Sequence, residues 1–143
     1  TYEMNISRIK IWEVALDTIT KNPIFGSGSS FPNILEAKTG FWRGHTHNLP
    51  LEIMVSYGIP ASLFILTPIT KLIIKSYEAV FLNKHSFFRE NLLDRAWITS
   101  LILLTFSHFV DIQYFDGRIS IMFWLLLAGL KTIIDIAIYL RKL

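Results

Sequence analysis

The chain has 143 residues, of which 52% are hydrophobic, 14% aromatic and 17% charged, whereas an ordinary soluble domain has roughly 25% charged residues. Its net charge of +3 would suit nucleic-acid binding in a soluble protein. Here, however, the basic residues lie at the ends of apolar stretches, which is the membrane pattern, so we expect no nucleic-acid partner. The sequence contains no cysteine, which excludes disulfides and thiolate metal sites.

Polar sequence predominates up to residue 48. An amphipathic helix is predicted over residues 2–21, because apolar side chains recur at every third or fourth position: Ile6, Ile9, Trp12, Leu16 and Ile19. Asn22-Pro23 should end this helix, because the residue before a proline avoids the helical conformation. The Gly26–Ser30 segment predicts a hinge or tight turn, with a phosphate-binding backbone loop as the alternative. Residues 31–48 predict a loop with a short helix near Ile34–Lys38.

Three apolar stretches follow, over about residues 49–75, 96–112 and 119–140. A helix needs about 20 residues to cross the hydrocarbon core of a bilayer. The predicted fold is therefore an all-α membrane protein, with an external helix and loop over residues 1–48 and then three transmembrane helices over residues 49–143. Lys131 and Asp135 are four residues apart in the third stretch and can pair on one helix face.

The distribution of basic residues predicts the topology. The connector after the first stretch carries Lys71, Lys75, Lys84, Arg89 and Arg95, and the chain ends in Arg141-Lys142. The positive-inside bias places the loop over residues 76–95 and the C-terminus in the cytoplasm, and residues 1–48 on the outer face. Because the chain begins without an initiator Met or a signal peptide, we expect it to be the C-terminal portion of a longer polytopic protein.

An ordered set of short motifs lies in the polar third. Arg8-x-x-x-Trp12 falls on the amphipathic helix, Asn22-Pro23-Ile24-Phe25-Gly26-Ser27-Gly28 follows it, and His47-Asn48 is separated from Gly58 by nine residues. This succession resembles the O-antigen ligase and O-antigen polymerase family of bacterial membrane proteins. The family motif often has a second glycine three residues later, where this chain has Ala61. The residues do not distinguish a ligase from a polymerase.

The resemblance implies an integral glycosyltransferase of the bacterial cytoplasmic (inner) membrane, active in surface polysaccharide assembly. Its donor would be an undecaprenyl-diphosphate-linked glycan, its acceptor the hydroxyl of a lipid or glycan, and its environment the membrane lipids, with no cofactor. The alternative is a non-catalytic membrane subunit or a transporter fragment, which would explain the apolar helices and charges without using the motifs.

The resemblance also assigns roles to two residues. His47 would be the catalytic residue, because imidazole can orient or deprotonate a hydroxyl near neutral pH. Arg8 would bind the diphosphate, because a guanidinium forms paired hydrogen bonds with phosphate oxygens. Arg43 is a second diphosphate-binding candidate because it lies near His47 in sequence. The alternative for His47 is a loop histidine that caps the next helix, and the alternative for the arginines is a solvated position without a ligand.

Five further residues are supporting candidates. Asn48 is interpreted first as the N-cap of the following helix. Glu52 either orients His47 or faces the solvent-accessible end of the helix bundle. The remaining three are predicted on the same outer face: His108, Asp111 and Arg118. The alternative to a role of Arg118 in the site is a local turn with Asp116. The His45-x-His47 pair has metal-ligand residue types but no nearby cysteine or carboxylate cluster in the sequence, so we predict no metal.

Overall fold

The computed structural model describes residues 7–82 and 92–140. They form the helices α1 (Arg8–Lys21), α2 (Phe31–Thr39), α3 (Leu49–Phe81), α4 (Leu92–Ser107) and α5 (Gly117–Leu140), with short 3-10 helices at Gly28–Ser30 and Gln113–Phe115. The described residues contain no strand, so the all-α class is confirmed for them. The predictions for residues 2–6, for residues 83–91 of the basic loop and for the Arg141-Lys142 tail lie outside the described residues.

The first helix begins later than the sequence predicted. Ser7 has an extended backbone, and its hydroxyl accepts a hydrogen bond from the backbone N–H of Lys10. Such a serine satisfies one of the amides that a helix N-terminus leaves without a partner. The helix therefore begins at Arg8 rather than at Tyr2.

The predicted apolar face of α1 is wrong in part. The face that the protein buries consists of Ile11, Val14, Ala15, Thr18 and Ile19, whereas Ile9 and Leu16 are exposed. Both sets recur at intervals of three and four residues, so periodicity alone did not choose between them. The short helix predicted over Ile34–Lys38 is confirmed as the longer α2, and it ends at Gly40 in a left-handed conformation.

The chain divides into two compact units. In the first, described over residues 7–66 and 108–112, α1 and α2 pack on the first half of α3. Its buried core comprises Ile11, Val14, Ala15, Ile19, Phe31, Leu35, Leu51 and Val55. Burying one large aliphatic or aromatic side chain contributes roughly 1.5–3 kcal/mol, so this core holds the polar third of the chain against the start of α3.

A kink in α3 joins that helix to the loop after α1. A regular helix would pair the Ile59 N–H with the Val55 carbonyl. Here the Val55 carbonyl accepts from the N–H and the hydroxyl of Ser27, at 2.7 and 2.9 Å, and the Ile59 N–H donates to the Pro23 carbonyl at 2.8 Å. Gly58 lies at the kink with φ +83°. The loop over residues 22–28 thus supplies the hydrogen bonds that the kinked helix lacks.

Two glycines allow this close approach. A Cβ on Gly58 would lie 2.1 Å from the Ile24 carbonyl oxygen, and one on Gly26 would lie 2.6 Å from the Ser56 carbonyl. Both glycines have positive φ, a region that only glycine adopts readily. The predicted turn is confirmed. Because it packs on α3, Gly26 of the loop and Gly58 of the helix are both needed for the same close contact.

The second unit is described over residues 67–82, 92–107 and 113–140. Its buried core comprises Val80, Ile98, Leu101, Phe123, Leu127, Leu130 and Ile133. Helix α3 extends through residues 76–81, which were predicted to lie in the basic loop, and α4 ends at Ser107 rather than near residue 112. The predicted pair is confirmed, because Lys131 Nζ lies 2.6 Å from Asp135 Oδ2.

Two of the described helices are long and apolar enough to cross a membrane, Leu49–Phe81 and Gly117–Tyr139. The predicted second span falls on α4, of which 16 residues are described, and the described residues do not confirm it as a span. By helix length and composition the chain is thus a membrane protein with two such helices in its described part.

Candidate functional site

The site is built on the loop that leads into α3. Thr46 is fully buried in the middle of this loop, and both of its backbone polar groups have side-chain partners. Its carbonyl accepts from Trp12 Nε1 at 2.9 Å, and its N–H donates to Glu52 Oε2 at 2.8 Å. Helices α1 and α3 therefore hold the backbone between His45 and His47 from two sides.

Asn48 joins this loop to a second segment of the chain, residues 108–112. Its Oδ1 accepts from the Leu51 N–H at 3.0 Å, which confirms the predicted N-cap, and its Nδ2 donates to the Phe109 carbonyl at 3.1 Å. The Leu49 N–H donates to the His108 carbonyl at 2.8 Å. Three hydrogen bonds thus define the start of α3, and two of them reach a segment about sixty residues away in sequence.

His47 faces a carboxylate of that segment. Its Nδ1 lies 3.1 Å from Asp111 Oδ1, which also accepts from the Ile112 N–H at 2.9 Å. The hydrogen bond from His47, followed by that from the Ile112 backbone, holds the pKa of Asp111 below its ordinary value. The ionised carboxylate accepts only, so it selects the His47 tautomer with the proton on Nδ1, which leaves Nε2 as an acceptor.

The backbone of His47 is in the left-handed region, with φ +57°. A non-glycine residue there is uncommon, and strained residues of this kind concentrate at active sites and ligand clamps. The conformation brings the His47 N–H to the Nδ1 atom of His45 at 3.3 Å, with the two rings in an edge contact and their centroids 4.3 Å apart. The strain is the local consequence of aiming His47 at Asp111.

His45 lies in partly buried surroundings next to His47. Partial burial is the main cause that lowers the pKa of His45, and the neighbouring His47 lowers it further. The neutral form is therefore favoured, in which Nδ1 accepts the hydrogen bond from the His47 amide. His45 supports the loop through this bond.

Arg8 reaches the same segment from α1. Its Nη1 donates to the Val110 carbonyl at 2.7 Å, and its side chain is exposed. A guanidinium has five N–H donors, so this bond positions the group and leaves donors for an anion. Trp12 lies one turn further along α1 and contacts Thr46. The Arg8-x-x-x-Trp12 spacing thus puts both residues on the helix face that meets the site.

The other predicted residues have different surroundings. His108 is buried and contributes its carbonyl to the start of α3. Glu52 is also buried and contacts the backbone of Thr46, not His47. Arg43 is exposed in the loop before His45. Arg118 belongs to the second unit and binds Asp116 at 3.2 Å, the local turn that the sequence offered as its alternative.

Three side chains at the site have metal-ligand chemistry. Ligand atoms of His45, His47 and Asp111 all lie within 4.8 Å of one another. The sequence shows no carboxylate cluster near the histidines, and the fold supplies Asp111 from 64 residues further along. The prediction of no metal stays a prediction, which chelation tests.

Sequence reasoning missed the residues that fix the loop. Thr46 was passed over because a threonine between two histidines has no chemical signature of its own, and only its complete burial marks its role. The spacing of apolar residues placed Trp12 on the apolar face of the helix and did not show that its indole N–H is a donor to the loop. The carbonyls of Phe109 and Val110 have no sequence signal at all.

Comparison with known proteins gives one family. Residues 3–66 match the family described as O-antigen ligase, and this range contains the Arg-x-x-x-Trp helix, the loop on the α3 kink, His47-Asn48 and Gly58. No curated protein and no solved structure matches the chain. The resemblance inferred from the motifs is therefore confirmed over residues 3–66, in a chain with two described helices that are long and apolar enough to cross a membrane.

Proposed function

We propose that this chain forms part of a membrane glycosyltransferase that transfers a glycan from an undecaprenyl-diphosphate carrier to an acceptor hydroxyl. The observation that carries the proposal is the His47–Asp111 contact of 3.1 Å beside Arg8, whose guanidinium is bound to the carbonyl next to Asp111. A base and an anion-binding group that contact adjacent residues of one segment, Asp111 and Val110, suit the transfer of a sugar from a diphosphate.

The proposed step is a direct displacement at the anomeric carbon of the donor sugar. His47 Nε2 takes the proton of the acceptor hydroxyl, and the hydroxyl oxygen forms the new bond to carbon. The bond from that carbon to the diphosphate oxygen breaks, and its electron pair leaves with undecaprenyl diphosphate. Asp111 stabilises the imidazolium that forms, and it holds the ring in the required tautomer, the role that a carboxylate has beside the histidine of a serine protease, although the Asp111 side chain is exposed.

Arg8 would neutralise the charge that develops on the leaving diphosphate. A guanidinium binds phosphate oxygens through two parallel hydrogen bonds, and the bond to Val110 fixes where the group lies before substrate arrives. Preorganised charge of this kind is often the largest single contribution to catalysis. Arg43, in the loop that carries His47, is the second candidate. In this scheme the arginines neutralise the diphosphate charge, a role that a metal ion would otherwise have.

The proposed cellular setting follows the topology prediction. Residues 1–48 would lie on the outer face of the bacterial inner membrane, with α3, α4 and α5 crossing it and the C-terminus in the cytoplasm. The active protein would include spans that precede this chain. The choice between a ligase, with a lipid acceptor, and a polymerase, with a glycan acceptor, depends on acceptor contacts outside these residues.

The test uses full-length protein in vesicles with lipid-linked glycan as donor. His47→Asn is the sharpest variant, because asparagine tolerates the left-handed backbone at this position and removes only the imidazole. His45→Asn is its matched control. We expect the first to lower the transfer rate by about 100-fold or more, which is the usual size of a general acid–base contribution, and the second to lower it much less.

Arg8 is tested in the same assay against a neighbouring cation. Lys10 lies on the same exposed part of α1 and pairs with Glu13 at 2.9 Å. We expect Arg8→Ala to reduce transfer strongly and Lys10→Ala to leave it near the parent rate. If both His47→Asn and Arg8→Ala transferred glycan at the parent rate, the site would not be catalytic, and a non-catalytic membrane subunit would be the better interpretation.

A further inference from the structure

The loop after α1 has an exposed apolar tip. Ile24 is 61% exposed and Phe25 is 86% exposed, although both lie in a segment whose backbone is tightly bound. Residues 22–30 contain no charged side chain. Two large apolar side chains that are exposed side by side at the end of a fixed loop form a candidate interaction surface.

The tip lies beside the apolar part of α3 and not beside its polar start. Between Glu52 and Lys71, α3 has 18 residues without a charged side chain, close to the number that a membrane span needs. The Ile24 carbonyl packs directly on Gly58. Gly58 is six residues beyond Glu52, a rise of about 9 Å along the helix. The tip is therefore level with α3 residues well inside the apolar stretch.

Hydrogen bonds hold the two ends of the loop. The Gly26 N–H donates to the Asn22 carbonyl within the loop, the Ser27 N–H donates to the Val55 carbonyl of α3, and the Pro23 carbonyl accepts from the Ile59 N–H of α3. Position 23 is a proline and has no N–H to satisfy. Two backbone bonds thus fix the loop on α3, while the side chains of Ile24 and Phe25 remain exposed.

The surroundings of the tip on α3 are apolar. The exposed α3 residues next to Gly58 and one turn beyond it are Tyr57, Ile59, Leu63 and Phe64. The nearest charged residue before the tip in sequence is Lys21, which ends α1 and binds Asp17 one turn back at 2.9 Å. The Ile24 carbonyl contact with Gly58 therefore puts the tip at the level of exposed apolar side chains of α3.

We propose that the Ile24–Phe25 tip inserts into the acyl chains of the outer leaflet as a re-entrant wedge, supported on the kink of α3. The partner is the bilayer lipid itself. The proposal rests on α3 as a membrane span, and it does not depend on the glycosyl transfer proposed above. It also means that residues 1–48 are not wholly outside the membrane, because their middle reaches into it.

The experiment uses the absence of cysteine in these 143 residues. Single cysteines are introduced into the full-length protein, with any cysteine elsewhere replaced, and labelled with a nitroxide in phospholipid vesicles. Phe25→Cys is the test site. Thr20→Cys, on an exposed position of α1, is the aqueous control, and Phe64→Cys, 83% exposed on α3, is the lipid control. Collision with oxygen and with a water-soluble nickel chelate is measured at each label.

We expect the oxygen-to-nickel accessibility ratio at position 25 to equal that at position 64 and to exceed that at position 20 by about 5-fold or more. A label at 25 that collides with nickel as often as the label at 20 would overturn the proposal, because the tip would be in water. A label shielded from both reagents would overturn it too, because another part of the protein would cover the tip. Ile24→Cys repeats the test if Phe25→Cys does not fold, and the readout is independent of enzymatic activity.

Discussion

Substitution of Gly58 by alanine should destabilise the protein through two separable effects. The new Cβ would lie 2.1 Å from the Ile24 carbonyl oxygen and 2.5 Å from the Ile24 carbonyl carbon, which are backbone atoms and cannot rotate away. Alanine would also have to adopt φ +83°. The loop over residues 22–28 would then separate from α3, and the hydrogen bonds that join it to Val55 and Ile59 would be lost.

The magnitude can be divided among these effects. A left-handed backbone costs a non-glycine residue roughly 1–2 kcal/mol. Each lost hydrogen bond contributes about 1 kcal/mol, and two backbone bonds join the loop to α3. The total for Gly58→Ala is therefore about 3–4 kcal/mol before any relaxation.

Two other glycines serve as matched controls. Gly28 has φ +60° but no atom within 4 Å of an added Cβ, and Gly117 has neither a positive φ nor a close neighbour. Gly28→Ala should show the backbone effect alone, about 1–2 kcal/mol, and Gly117→Ala should change stability by less than about 0.5 kcal/mol. The order of destabilisation is thus position 58, then 28, then 117.

The assay is the free energy of unfolding of the full-length protein in mixed detergent micelles, followed by helical circular dichroism as denaturing detergent increases. Transfer activity is measured in parallel, because the kink carries the part of α3 that follows His47-Asn48. If Gly58→Ala were no less stable than Gly28→Ala, the close packing of the loop on the kink would be refuted as the reason for this glycine.

Three further predictions concern the loop of the site. Glu52→Ala should destabilise the protein by about 1–3 kcal/mol in the same unfolding assay, because it leaves the buried N–H of Thr46 without a partner. Glu52→Gln keeps an acceptor oxygen and should lose less stability. Equal losses of stability in the two variants would count against this reason. Because the pKa of His45 is lowered from 6.5, the contribution of His45 to stability should be complete above pH 6.5 and should decline as the pH falls through the lowered pKa. Thermal unfolding between pH 7.5 and 5 should show this decline. The variant His45→Asn should show a smaller decline. Finally, chelation of divalent cations should leave glycan transfer within about 2-fold of the untreated rate if His47 acts as a base with Asp111 behind it, and a loss restored by added metal would instead assign the cluster to a cation.

Features that depend on residues close together in the chain could be predicted from the sequence. The long apolar stretches of α3 and α5 predicted helices able to span a membrane, and both are present. Asn48 before Leu49-Pro50 predicted an N-cap, and its side chain accepts from Leu51. The ordered motifs predicted the family that residues 3–66 match. Each of these features has a period or spacing set by one helix or one turn, so a local pattern is enough.

Which residues contact one another across long sequence separations depends on the packing of the helices. Arg8 contacts Val110 across 102 residues of sequence, and His47 contacts Asp111 across 64. A helical period could not choose between the two apolar faces of α1, because the choice depends on where α2 and α3 present their own apolar side chains. Polar partners distant in sequence are selected by packing and by the need to pair buried N–H and C=O groups.

The polar first third shows both kinds of information. Its motifs named His47 and Arg8 through resemblance, and nothing in the sequence separated His47 from His45 on physical grounds. The fold separates them. His47 takes a left-handed backbone and a carboxylate partner, and His45 accepts a hydrogen bond from the His47 amide. The physical reason is the buried Thr46 between them, whose two backbone bonds to Trp12 and Glu52 set the direction of each ring.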